Sequence, residues 1–401
     1  MKRLLVLGAG PAQLGCLESA RARGLFVVVV DRNPSAPGFR FADRRAILSV
    51  EDERGIDRLA MAERVDGLIA PGIDWPVAIA ARVADRLGVA HPLSPPTAVL
   101  ATSKLRQRER FAEAGVAQPR YELCRGADAA AAAERIGYPC VVKPPDRQGQ
   151  RGLGLVESPE VLEHAVACAL EASRGDVVLL EQLVDGPEVT VNAFSVGGRF
   201  HPLTVTDRLV AAPPAFGVAL AHAWPSSAPM AEAVRDAAAA AAAAVGVTDG
   251  PTYTQVRIGP DGPRVGELAA RLGGGHDAEL CAAALGVDLN GLALSGALGE
   301  EIEEASLSPA PRESGACVRF LVAPSGELRE VAGVEQARAA EGVRWVHLYH
   351  PTGHRYGPLR HGADRAGAIL AVGGGRDDAL AHADHAAALL RFDIIDVEAL
   401  V

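Results

Sequence analysis

Residues 252–258 form an apolar, β-branched run that breaks at a turn, Gly259-Pro-Asp-Gly-Pro263, and is answered by Gly266-Glu-Leu-Ala-Ala-Arg-Leu-Gly-Gly-Gly-His276. Run, turn and return predict a β-hairpin that delivers its second strand into a glycine-rich loop. Side chains alternate along a strand, so Glu267, Ala269 and Arg271 share one face while Leu268 and Ala270 take the other. A carboxylate and a fixed cation then stand side by side at the mouth of a loop whose glycines, Gly274 among them, let backbone amides approach an anion. Those are the parts that phosphoryl chemistry needs: a ligand for a hard cation, a positive charge for developing negative charge, and bare amides.

A chain of 401 residues, 49% apolar and 22% charged, has room for two or three domains around real cores. Its 40 Lys and Arg against 50 Asp and Glu give a net charge of −10, which offers no electrostatic footprint for nucleic acid or for an anionic membrane. A small-molecule substrate is the expectation. The cysteines Cys16, Cys124, Cys140, Cys168, Cys281 and Cys317 show neither disulfide nor metal spacing and read as buried thiols of a cytoplasmic protein. The apolar start, residues 4–7, reaches glycine too early for a signal or membrane segment.

The amino terminus reads as a βαβ unit: residues 4–7, the loop Gly8-Ala-Gly10-Pro-Ala-Gln13-Leu-Gly15, a helix to Arg23, and the strand 26–31 ending in Asp31. The glycine spacing departs from a dinucleotide fingerprint, so a structural turn is the simpler reading. Asp74 and Trp75 follow a further strand, on the side of an open α/β sheet where ligands gather. Prolines 92–96 close this first region, and a helix then carries Ser103 and Lys104.

Tyr138-Pro-Cys-Val-Val-Lys143 ends an apolar strand on a lysine, a charge that must be paired or used. Gly149, Arg151, Gly152 and Gly154 follow in a basic loop suited to covering a polyphosphate. Residues 177–184 form a buried strand ending in Glu181-Gln182-Leu183-Val184, whose free backbone edge could satisfy an adenine, and Glu188 follows within reach of a ribose. Asp207, Arg208 and His222 flank a Pro/Gly-rich connection at 211–217. Residues 300–311 are an acidic linker into a β-rich region with strands at 316–322, 343–349 and 366–372 and a helix at 376–390.

Taken in order, these motifs resemble those of the ATP-grasp carboxylate-amine ligases, and among them the L-amino-acid ligases, with a biotin carboxylase-like carboxy-terminal domain. The resemblance implies an α/β and α+β architecture: an amino-terminal α/β domain over 1–97, a two-lobed ATP-grasp core over 98–310 with its small lobe at about 124–190, and a β-rich carboxy-terminal domain over 311–401. It implies that Lys104, Lys143 and the loop at Gly149, Arg151 and Gly152 hold ATP phosphates, with Glu181, Gln182, Leu183, Val184 and Glu188 around the nucleoside. Glu267 and Gln255 would meet magnesium, or manganese in its place. Arg271, Arg208 and His222 would act in catalysis, and Arg319, Gly274, His276 and Asp207 would contact the substrates, with Arg208 or Arg319 gripping a carboxylate. Two positions depart from the family pattern: Gln255 stands where an acid is usual and Ala269 where an asparagine is, which removes anionic ligands. The implied reaction joins a carboxylate, as of an L-amino acid, to an amine through an acyl-phosphate, releasing ADP and phosphate. A bicarbonate-using carboxylase and a nucleotide-binding protein with impaired catalysis are the alternatives. A cytoplasmic homodimer without nucleic-acid or membrane partners is the expected setting.

Overall fold

The structure, a computed structural model, describes residues 1–395. Strands β1 (Arg3–Leu7), β2 (Phe26–Asp31), β3 (Arg44–Ile47) and β4 (Gly67–Ile69) make a parallel sheet in the order β3-β2-β1-β4. Leu4 to Leu7 and Val27 to Val30 are fully buried, as expected of strands covered on both faces. The covering helices are α1 (Leu14–Ala22), α2 (Glu53–Glu63) and α3 (Trp75–Leu87), and α3 ends on Gly88 in the left-handed region. The first glycine loop is used internally: the Ala9 amide donates to Asp31 Oδ2 (2.9 Å) and the Gly10 amide to Gln13 Oε1 (2.9 Å). Those amides are therefore committed to the turn itself, which supports the structural reading over the dinucleotide one.

Two helices, α4 (Pro95–Ala101) and α5 (Lys104–Glu113), lead into a small antiparallel sheet. Its strands are β5 (Tyr121–Arg125), β6 (Cys140–Lys143), β7 (Gly154–Val156) and β8 (Val177–Gln182), in the order β5-β8-β6-β7, backed by α6 (Ala129–Ile136) and α7 (Leu162–Ala172). Gly152 is held by packing: a Cβ there would stand 2.7 Å from that of Ala172 on α7.

The chain then builds an eight-stranded sheet. It contains β9 (Glu188–Val196), β10 (Arg199–Val210), β11 (Ala219–Trp224), β12 (Gly250–Gly259), β13 (Gly262–Ala269), β14 (Gly315–Leu321), β16 (Val343–Leu348) and β18 (Gly367–Gly373), in the order β13-β12-β9-β10-β11-β14-β18-β16. A smaller sheet, β17-β15-β19, uses β15 (Gly326–Ala332), β17 (Arg355–Tyr356) and β19 (Arg391–Ile395). Residues beyond 310 thus contribute three strands to the large sheet as well as the whole of the small one. The short β11, flanked by prolines and glycine, carries little sequence signal of its own. Helices α8 (Ala231–Val245), α9 (Asp277–Leu285), α10 (Leu289–Ala297), α11 (Val334–Ala339) and α12 (Arg376–Leu389) pack around these sheets.

Side-chain alternation gives the large sheet two distinct faces. Val189, Val191, Val205 and Val256 lie against Val234 and Ala238 of α8, while Ala221, Cys317 and Ala371 lie against Ala379 and Ala383 of α12. The intervening positions, among them Glu188, Arg208, His222, Gln255 and Phe320, fall on the opposite face. Four cysteines are buried, Cys124 is partly buried and Cys168 is exposed, against the expectation that all are covered; none forms a disulfide. Among the described residues no helix is long and apolar enough to cross a membrane.

Candidate active site

A cleft of about 110 Å³ opens between the small sheet and the β12–β13 end of the large one, with Lys143, Leu183, Val184, Glu188, Arg208 and Glu267 in its walls. Lys143 is the last residue of β6, so its stem leaves a buried strand and its ammonium enters the cleft, where Nζ lies 2.7 Å from Glu181 Oε2. Arg108 donates from Nε to the other oxygen of that carboxylate at 2.7 Å, and from Nη1 to the Val265 carbonyl at 3.0 Å. The ion triad ties α5, β6, β8 and β13 together. Burial alone would raise the Glu181 carboxyl, but Arg108 and Lys143 together hold it down to about 2, and burial draws the Lys143 ammonium below its ordinary value. Glu181 therefore faces two cations in the wall of the cleft. Arg108 itself was invisible as a site residue, although it stands one helical turn beyond Lys104, on the same face of α5.

The second lysine arrives from another direction. Ser103 caps α5 through its hydroxyl, which fixes Lys104 at the first helical position, and Lys104 Nζ donates to Glu267 Oε1 and to the Arg147 carbonyl, both at 2.7 Å. The hairpin pairs Gln255 directly with Glu267 and Tyr253 with Ala269. Burial pushes the Glu267 carboxyl up, but Lys104 and Lys143 outweigh it and keep the group low. Lys143 and Glu267 thus face one cleft from β6 and β13, and Lys104 reaches its wall from α5 through Glu267.

Beyond Glu267 the polar groups continue. Arg271 grips Asp74 through Nε (2.7 Å) and Nη2 (2.6 Å), linking the end of the hairpin to the start of α3. Arg208 donates to Glu188 Oε1 (2.7 Å) and to the Gly217 carbonyl (2.8 Å), and Arg257 holds the second Glu188 oxygen at 3.1 Å. Opposite Arg208 in the β10–β11 register is His222, whose Nδ1 lies 2.9 Å from Asp277 Oδ1. Asp277 Oδ2 accepts from the Gly275 amide at 3.1 Å. His276 adopts φ 59°, and its Nε2 meets the Tyr349 hydroxyl at 2.7 Å.

Several expected residues stand elsewhere. Asp207 lies on the far face of β10, where it accepts from both hydroxyls of Ser226 and Ser227 and from Arg376 Nε (2.8 Å); it is an anchor for α12. Arg319 lies on the α12 face of β14 and pairs with Asp384 at 3.0 Å, one residue out of phase with Phe320. Strand alternation, which the sequence displays, separates both from the cleft once the face of the neighbouring residue is known. Arg151 is exposed, and Gly274 packs under the Gly72 carbonyl, 3.1 Å from a Cβ built on it, whereas Gln182, also exposed, lines the cleft.

Two family models match parts of this arrangement: the L-amino acid ligase C-terminal domain 2 over residues 319–394, and the carbamoyl-phosphate synthase L chain ATP-binding domain over 104–194. The second spans Lys104, Lys143 and Glu181 together. Among solved structures, the L-amino acid ligase from Bacillus licheniformis superposes with a TM-score of 0.83 at 22% identity, covering 99% of each chain. The fold is that of the ATP-grasp ligases. The biotin carboxylase domain dimer of Hydrogenobacter thermophilus 2-oxoglutarate carboxylase, solved with MgADP, ADP and bicarbonate, has the same ATP-grasp architecture, with a TM-score of 0.80 at 18% identity over 98% of this chain and 91% of that one. By sequence, the uncharacterized protein y4rH of Sinorhizobium fredii is 30% identical over 285 residues, 69% of this chain and 58% of that protein. The chain spans about half the length of the curated relatives it matches. In this ATP-grasp fold the cleft lies between the small sheet and the hairpin, where the lysines meet.

One titratable group on α9 carries its own test. Glu279 on α9 is buried against Gly15 and Asn290, and burial raises its carboxyl to about 7. A raised folded-state value stabilises below the unfolded one, and that contribution is lost as pH climbs through the folded one. Stability should therefore fall by on the order of 1–3 kcal/mol between about pH 4.5 and 7 from this group, the upper figure being discounted because the side chain is partly exposed. Glu279→Gln is expected to flatten that slope in urea unfolding measured across the interval, and an unchanged slope would reject the assignment.

Proposed function

We propose that the protein is an ATP-dependent ligase that joins a carboxylate, that of an L-amino acid, to an amine and releases ADP and phosphate. The observation that supports this reading is that Lys143 and Glu267 line one cleft, with Lys104 held on Glu267 at 2.7 Å and Arg271 four residues further along the chain, paired with Asp74. The adenine lies along Gln182, Leu183 and Val184 at the free end of β8, with Glu188 toward the ribose. Lys104 and Lys143 neutralise the phosphates, the triphosphate displacing the carboxylates that the lysines now hold. Gly149, Arg151 and Gly152 belong to the loop that covers them.

A carboxylate oxygen attacks the γ-phosphorus and the bond to the β-bridging oxygen breaks, giving ADP and an acyl-phosphate. The amine nitrogen then attacks the acyl carbon, loses a proton and expels phosphate, which leaves the amide. Arg271 stabilises the oxyanion of that second step, and no side chain becomes covalently attached. His222, held by Asp277, is placed to receive the proton from the amine. His276 and Gly274 shape the wall of the acceptor side.

Magnesium fits this site only sparingly. Glu267 offers one carboxylate and Gln255 one neutral oxygen, Ala269 offers nothing, and among the described residues no group of three or more acidic, histidine or cysteine side chains converges as a metal cage. A single ion carried in by the triphosphate, which supplies its phosphate oxygens and waters, suits that set; there it would neutralise charge on the transferred group. Manganese would suit it equally. The working assembly proposed is a homodimer acting on small molecules.

The experiment is ADP release with magnesium and a panel of amino acids, with product mass measured. Dipeptide mass with stoichiometric ADP supports the ligase. ADP release that depends on bicarbonate favours a carboxylase, and nucleotide binding without turnover identifies a silent member of the fold, the reading that Gln255 and Ala269 favour.

A further inference from the structure

Arg365 is about nine-tenths buried, and unlike Arg108, Arg208 and Arg271 it has no carboxylate within ion-pair distance among the described residues. Its Nε has no hydrogen-bond partner, and its guanidinium lies 3.7 Å from the centre of the Phe320 ring. Phe320 meets His222 edge-on from another side, with ring centres 5.6 Å apart, and His222 Nε2 is also buried without a partner. Two unpartnered nitrogens thus flank one aromatic plate on the cleft face of β14. A cation buried without an anion is expensive, and the expense is visible in the burial that pushes Arg365 down to about 10.

The position of Arg365 relates it to the nucleotide end. Its loop touches the phosphate-covering loop, since the Gly362 amide donates to the Gly149 carbonyl at 3.3 Å. A Cβ built on Gly362 would stand 3.5 Å from Arg365 Nη2 and 3.7 Å from Gln150 Oε1, and Gln150 lines the cleft. The charge of Arg365 is felt by Tyr349 and His276, on the acceptor side.

We propose that Arg365 binds the free carboxylate of the amine substrate, the carboxylate that does not react, so that the acceptor is itself an amino acid or peptide. The inference rests on the ligase reading above. A guanidinium that takes both oxygens of a carboxylate lowers their nucleophilicity, so this grip suits the carboxylate that must stay inert rather than the one to be phosphorylated. Nothing in the sequence flags Arg365: it sits in a loop, outside any periodic pattern.

The test is equilibrium binding to the full chain with ADP present, followed by emission of Trp345, whose ring packs 4.9 Å from that of His276. The probes are the free L-amino acids, each beside its carboxamide, and inorganic phosphate. At least one free amino acid should bind about tenfold or more tightly than its amide, one such factor being the least that a lost charged pair removes. Arg365→Gln should abolish that preference, and Arg365→Lys should restore part of it. Because the wild-type charge is unpaired, Arg365→Gln should melt no lower than wild type, which guards against loss through unfolding. Persistence of the preference in Arg365→Gln, absence of any Arg365-dependent binding across the panel, or binding of phosphate in place of the carboxylate overturns the proposal. Failure of the ligase reading is read separately, as absent ATP turnover in the wild type with this binding intact.

Discussion

Arg271→Ala is expected to lower the rate of ADP-coupled amide formation by about 10²–10³, the loss seen when one pre-organised donor is removed from a developing oxyanion. In the resting structure Arg271 spends both Nε and Nη2 on one oxygen of Asp74. That pairing fixes the guanidinium before substrate arrives, while Nη1 is turned to the Leu272 carbonyl at 2.9 Å. Two effects could be confused in the alanine variant: loss of charge at the reacting centre, and loosening of the contact between the hairpin and α3. Asp74→Asn separates them. It keeps the arginine and weakens only its tether, so the loss should be smaller and should appear with intact ATP affinity. Steady-state rates of both variants check this, and an Arg271→Ala enzyme with near wild-type kcat would remove Arg271 from the chemistry.

Lys143→Met should cut ATP affinity and turnover together, by about 10² or more, because a charge-assisted contact to phosphate in a water-poor cleft is worth on the order of 1.5–3 kcal/mol in binding alone. Methionine preserves the length of the stem leaving β6. The fold should survive, since Arg108 continues to hold Glu181 at 2.7 Å. Arg108→Met is the informative contrast. It leaves Glu181 to a single partner and detaches α5 from the Val265 carbonyl, so its effect should fall on stability first. Calorimetric titration of ATP and urea unfolding on the same two proteins distinguish a ligand-binding cation from a structural one.

The sequence made some of this legible and hid the rest for physical reasons. A lysine closing an apolar strand and an acid facing Gln255 across a hairpin are local patterns, and the structure puts Lys143 at the end of β6 and pairs Gln255 with Glu267. The mixed α/β architecture and the ATP-grasp fold follow from the order of such motifs. Asp207 and Arg319 were harder, because alternation tells which residues share a face but not which face meets the cleft. Only the docking of α12 against β11, β14 and β18 decides that. Arg108 required knowing that its side chain reaches from α5 to Glu181 on β8, a long-range contact with no mark in the spacing of either element. Arg365 required more still, since its interest lies in a missing partner, and sequence cannot display an absence of contacts. The joining of β14, β16 and β18 to the large sheet was likewise hidden, as strand composition does not reveal which edge a strand extends.

The central claim is that a carboxylate oxygen becomes bonded to the γ-phosphorus. Running the reaction with an amino acid carrying ¹⁸O in its carboxylate, and measuring the mass of the phosphate released, tests it directly. One ¹⁸O per phosphate, with ADP as the other product, is the expected result. Unlabelled phosphate, or release of AMP and pyrophosphate, would contradict the account.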